Sequence, residues 1–254
     1  LDVGNNELFN AGIVALCSGL RGCDALEHFD VRQNKIDGEG FEAFCATLPF
    51  CTRLACLRVH ENEAGAQGAT ALAAAIPLLP KLTTLDMAQT RIRDEGVPVL
   101  AKSVAQCTTL TRLDLQNCKI EEQGITSLGQ GLQGSKNKIQ HLDLSDNHVG
   151  IQGGFRVPDV IRSCPCLTWL DISSMILTDG GAVFVAQALA EQKHLRTLTM
   201  KSNDISDATA PIIAVFLKEI GTLQQLDMRF NAIEHPGSLS FRRDTHWDSR
   251  QCLV

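Results

Sequence analysis

Twelve residues at 113–124, LDLQNCKIEEQG, return as LDLSDNHVGIQG at 142–153 and as FDVRQNKIDGEG at 29–40. Aligned on this stretch the chain holds nine copies, whose shared slot is filled by Asn6, Asn34, Asn62, Thr90, Cys118, Asn147, Met175, Asn203 and Asn231. Successive slots stand 28 residues apart, except for one interval of 29 between Cys118 and Asn147. A period held along the whole chain marks a repeat architecture, and it outweighs the one or two globular domains that 254 residues would otherwise suggest.

Each copy changes its apolar spacing halfway. Leucines such as Leu110, Leu113 and Leu115 lead into the slot with the alternation of a strand. Ten and fourteen residues past the slot stand apolar pairs at helical spacing: Phe44 and Leu48, Leu72 and Ile76, Leu100 and Val104, Leu128 and Leu132, Ile213 and Leu217. Glycines six past the slot (Gly12, Gly40, Gly68, Gly96, Gly124, Gly153, Gly181, Gly237) hold the junction, with Thr209 in the eighth copy. A lone strand–helix unit cannot bury its apolar side, whereas stacked units share one core. Strands pack ~4.8 Å apart and helices ~10 Å apart, so the strands take the inside of the curve.

On these motifs, LDLQNC at 113–118 and LDLSDN at 142–147 above all, the chain resembles the leucine-rich repeat family, in its ribonuclease-inhibitor-like subclass of long, helical repeats. The uniform spacing is more similar to the repeats of nucleotide-sensing innate receptors and of GTPase-activating proteins for Ran than to the inhibitor's two alternating lengths. The fold expected is an α/β right-handed solenoid horseshoe of about nine repeats, with a parallel sheet on the concave face and helices on the convex one. Residues 1–237 are assigned to the repeats, and 238–254 to a degenerate cap or tail in which Phe241 continues the pattern and Trp247 covers the open end of the core. Leu1 begins in mid-repeat, so the chain is read as a fragment.

The slot asparagine is expected to turn inward and bond orphan backbone groups of adjacent coils, a ladder that Thr90 and Cys118 continue in part and Met175 cannot. The coil around 171–181 is therefore expected to be the weakest or most irregular. Cys23, Cys51, Cys107 and Cys164 share one repeat position with Leu79, which points to a small buried apolar site rather than to disulfide or metal chemistry. Neither the seven histidines nor the ten cysteines fall at zinc-ligand spacings, and GEGFEAF at 38–44 lacks the lysine of a phosphate loop. No cofactor or metal is expected.

Function is left to the strand side chains that face the concavity. Their central column reads Asp2, Asp30, Arg58, Asp86, Asp114, Asp143, Asp171, Thr199, Asp227. Stacked in register, such carboxylates repel one another, which raises some of their pKa values and attracts a basic segment of a partner. The same LDL is also a common framework form of the repeat where nothing binds. In the flanking columns Trp169 is the outlier, since the framework needs no large aromatic there. The partner-binding patch expected is His141, Trp169, Lys201, Arg229 and Phe230, with Asp114, Asp143, Asp171 and Asp227; the bland alternative is that Trp169 only packs over a neighbouring strand side chain.

A net charge of −6 disfavours nucleic acid and anionic membranes, and no apolar run approaches the ~20 residues of a membrane span. With no targeting pattern and many free cysteines, a cytoplasmic setting is expected. The leading expectation is a non-enzymatic scaffold that binds a protein. A GTPase activator is the alternative that resemblance to the Ran regulators implies, with Arg32, Arg91 or Arg93 at the strand edges. A third is the sensor arm of a larger innate-receptor-like or cytoskeletal, axonemal protein.

Overall fold

The computed structural model describes residues 1–234 and the strand Cys252–Leu253. The alternating leucines form three-residue strands: β1 (His28–Asp30), β2 (Cys56–Arg58), β3 (Thr84–Asp86), β4 (Arg112–Asp114), β5 (His141–Asp143), β6 (Trp169–Asp171), β7 (Thr197–Thr199) and β8 (Gln225–Asp227). They lie side by side in chain order in one parallel sheet, joined after β8 by β9 (Cys252–Leu253). The first copy contributes a bridge from Asp2 to Asp30 rather than a strand. The 238–254 cap, with Phe241 and Trp247, lies outside the described residues apart from β9.

Between the strands run α1 (Phe9–Leu20), α2 (Gly38–Cys45), α3 (Gly65–Ala75), α4 (Arg93–Gln106), α5 (Glu122–Leu132), α6 (Gly150–Gly154), α7 (Val157–Arg162), α8 (Thr178–Ala190) and α9 (Ala210–Lys218). Neighbouring helices pack on one another, and sheet and helices form the two layers of an α/β horseshoe solenoid. The middle residue of β1, Phe29, and the middle leucines of β2 to β8 pair in register, Leu113 with Leu142, Leu142 with Leu170 and Leu170 with Leu198, these four leucines fully buried. Burying each such side chain contributes about 1.5–3 kcal/mol, so a coil is stable only against its neighbours.

The sixth coil has a broken helix for a stated reason. Pro158 has no N–H for the carbonyl of Gly154, which ends α6; α7 starts after a two-residue step at Phe155–Arg156. The interval of 29, between Cys118 and Asn147, belongs to the coil before it.

The asparagine ladder explains the slot. Asn147 Nδ2 donates to the carbonyls of Leu115 (2.8 Å) and Leu144 (2.9 Å), and its Oδ1 accepts from the N–H groups of Cys118 and Ile120, both at 3.0 Å. Thr90 Oγ1 and Cys118 Sγ both reach the Met87 carbonyl, at 2.6 and 3.1 Å. The Met175 side chain is fully buried and donates nothing, although its N–H donates to Asn203 Oδ1 at 3.0 Å. The Leu144 and Ile172 carbonyls keep one amide donor each, from Asn147 and Asn203, so the gap is shared between two coils. Beside it the β-branched Ile176 and Thr178 take positive φ, +61° and +54°, a conformation such residues adopt only under constraint. The strand and helix of that coil are regular; the interrupted helix belongs to the coil before it.

Cys51, Cys107 and Cys164 are buried as expected of their shared position, but Cys23 is exposed. The described cysteines are all free thiols, and among the described residues no group of three or more metal-ligating side chains converges.

Candidate functional site on the concave face

Strand register sets the concave columns side by side. One runs Arg112, His141, Trp169, Thr197, Gln225, and the central one runs Asp114, Asp143, Asp171, Thr199, Asp227. Most aspartates of the central column have a cation of their own. Asp30 is bonded by Arg32 at 2.6 Å, with Arg58 3.7 Å away; Asp86 lies 2.9 Å from His60 Nδ1; Asp114 lies 3.8 Å from Arg112. Asp227 is gripped by Arg229 through Nε (3.0 Å) and Nη2 (2.7 Å).

Asp143 and Asp171 differ. Among the described residues neither has an ion-pair partner. Asp143 accepts from Ser145 N (3.0 Å) and Oγ (2.6 Å), and Asp171 from Ser173 N (2.9 Å). Burial, with a smaller contribution from the charge of Asp114, pushes the Asp143 carboxyl up to about 6 against the pull of Ser145. Burial also raises Asp114 and Asp171, each helped by a neighbouring aspartate. The expected upward shifts are present, but burial leads and like-charge repulsion comes second. Asp227 goes the other way: burial opposes its charge, and the Arg229 hydrogen bonds and charge outweigh it.

Above this pair stands an aromatic stack. His141 and Trp169 lie ring on ring, centres 3.7 Å apart and planes at 4°. Trp169 therefore does pack over a neighbouring strand side chain, yet both residues stay partly exposed on the concave face. Burial, then the Arg112 charge, drives the His141 imidazole down to about 4, so it is neutral near pH 7. Its Nε2 has no hydrogen-bond partner.

The remaining patch residues form a second group. Lys201 acts through its charge on both Asp171 and Asp227. Arg229 lies 5.9 Å from the centre of the Phe230 ring, which is 76% exposed at φ +63°. Phe230 is five residues past Gln225 and two strands from Trp169, on the order of 15 Å away. The nine residues thus form two clusters bridged by Lys201 rather than one contiguous spot. Sequence reasoning passed over Ser145, Ser173 and Thr197. The signal was present: Asp-x-Arg at 30–32 and 227–229 is self-neutralising, whereas Asp-x-Ser at 143–145 and 171–173 is not.

Of the arginines at the strand edges, Arg32 is committed to Asp30, Arg91 lies 3.6 Å from Glu63, and Arg93 is exposed. No helix among the described residues is long and apolar enough to cross a membrane.

Comparisons with known proteins agree with this architecture. The family model described as Leucine Rich repeat matches residues 25–45, 79–101, 106–129 and 135–155. The ribonuclease inhibitor of Sus scrofa is 30% identical over 110 residues, 43% of this chain. The chain spans only 24% of the length of that relative. Among solved structures, the TLR13–ssRNA13 complex is similar with a TM-score of 0.50 at 16% identity, covering 88% of this chain and 32% of that one; the likeness is one of fold. The Leiomodin-1 actin-binding site 2 matches 62% of this chain and 75% of its own, with a TM-score of 0.41 at 14% identity.

Proposed function

The chain belongs to the leucine-rich repeat family, in its ribonuclease-inhibitor-like form, and from that premise we propose that it is a non-enzymatic module that binds a protein partner carrying a basic segment on its concave face. The observation that carries the reading is the pair Asp143 and Asp171. Both are partly buried carboxylates with no cation of their own in a column where most aspartates have one. A partly buried acid held ionised without a counter-charge costs stability, and a partner's cation removes that cost. Exposed Arg229 and Phe230 at the loop edge supply the anchor types that dominate protein interfaces.

The test is quantitative recovery of bound partners by wild type, by Trp169→Ala plus Arg229→Ala, and by a convex-face control, Phe184→Ser. Loss of a partner with the concave double variant alone supports the reading. Unchanged recovery with that variant rejects the patch.

A further inference from the structure

Trp169 has only one face occupied. His141 on β5 covers one side of the indole, so the other looks along the sheet toward β7. There the residue in register is Thr197, which is small, and the next is Gln225 on β8, which is exposed. Thr197 Oγ1 lies 3.5 Å from Gln225 Oε1. Two strand spacings separate Trp169 from Gln225, about 9.6 Å, which leaves a slot one flat group thick above Thr197. No other ring or cation among the described residues stacks on the indole. One end of the slot is closed by the next column, where Asp171, which has no ion pair among the described residues and feels Lys201 only through its charge, stands beside the neutral Thr199.

We propose that this slot receives an arginine side chain of the partner, its guanidinium flat against the free face of Trp169 over Thr197 and its N–H groups directed to the Asp171 carboxylate, with Asp143 supplying the second negative charge. The inference rests on the concave-face reading and deepens it by naming the chemistry of the contact. Charge complementarity selects a cation, since the aspartates of β5 and β6 have no ion pair among the described residues, while those of β1, β4 and β8 pair with an arginine and that of β3 with the His60 imidazole. Shape selects arginine over lysine. A guanidinium is planar, stacks on an indole and offers a fork of donors to a carboxylate, whereas an ammonium is a hydrated point charge. The ring is held by His141 before any ligand arrives, so little side-chain freedom is lost on binding.

The full chain carrying Trp247→Phe leaves Trp169 as its single tryptophan and its own reporter. Titrated at equal charge, a hexa-arginine peptide is expected to change Trp169 emission and to bind about tenfold more tightly than hexa-lysine. Thr197→Phe fills the slot with a ring against the indole and is expected to abolish the arginine preference while leaving the thermal melt unchanged. Asp171→Asn is expected to weaken hexa-arginine more than hexa-lysine. Equal affinities for the two peptides, or an arginine preference that survives Thr197→Phe in a folded protein, overturns the slot. If the slot fails while the whole partner is still lost on Trp169→Ala plus Arg229→Ala, the concave-face reading stands without it.

Discussion

The imidazole of His141 and the indole of Trp169 are parallel to within 4° and 3.7 Å apart at their centres. Adjacent parallel strands stand ~4.8 Å apart, so the two rings rise from neighbouring strands as one wall rather than two free side chains. That wall keeps His141 neutral near pH 7 and leaves the indole with a single open face.

Asp143, two residues from His141, titrates in the opposite sense, and the pair predicts a pH signature. The Asp143 carboxyl moves from 3.8 to about 6, so its contribution to stability is present below pH 3.8 and is lost as the pH rises through 6. The His141 imidazole moves from 6.5 to about 4, so its contribution is present above pH 6.5 and is lost as the pH falls through 4. Each is worth on the order of 2 kcal/mol, and between pH 4 and 6.5 they offset each other. Asp143→Asn keeps the acceptor for Ser145 and removes one side of the balance. Urea melts should show this variant more stable than wild type at pH 7 and level with it at pH 3.5; equal stability at pH 7 contradicts the origin given for the shift.

Ile176 predicts a stabilising substitution. A β-branched side chain at φ +61° costs roughly 1–2 kcal/mol, and the side chain is 37% exposed, so little packing is lost with it. Ile176→Asn should raise the urea midpoint by the equivalent of about 1 kcal/mol. A lowered midpoint would place the side chain in a contact that outweighs the backbone strain.

Leu142 tests the shared core. Truncation to alanine should cost about 2–5 kcal/mol, because a cavity is left between coils that cannot close independently. Hydrogen exchange should show protection falling first in β4, β5 and β6 and least in α1 and β1, as nearest-neighbour coupling requires. Uniform loss along the chain contradicts a quasi-one-dimensional core.

The fold was legible because a repeat multiplies weak signals. One Leu-x-Leu says little, but the same spacing nine times fixes strand order, register and the inner face together. The candidate site was legible only in part. Register placed Asp143, Asp171, Trp169 and Lys201 on one face, but which aspartates are neutralised depends on whether a cation on the same or the next strand reaches back, as Arg58 approaches Asp30. The exposed Cys23 and the break at Pro158 show the same limit. A repeat pattern describes the average coil, whereas the surroundings of one cysteine or a single proline act on one coil only.

The most direct measurement is site-specific photocrosslinking of a captured partner. A photoreactive residue is placed in turn at Thr197, Lys201 and Gln225 on the concave face and at Lys102 and Gln130 on the convex helices. Covalent adducts with the partner from the concave positions, suppressed by Asp143→Asn plus Asp171→Asn, are the predicted result. Adducts from Lys102 or Gln130 with none from Thr197, Lys201 or Gln225 would contradict the account.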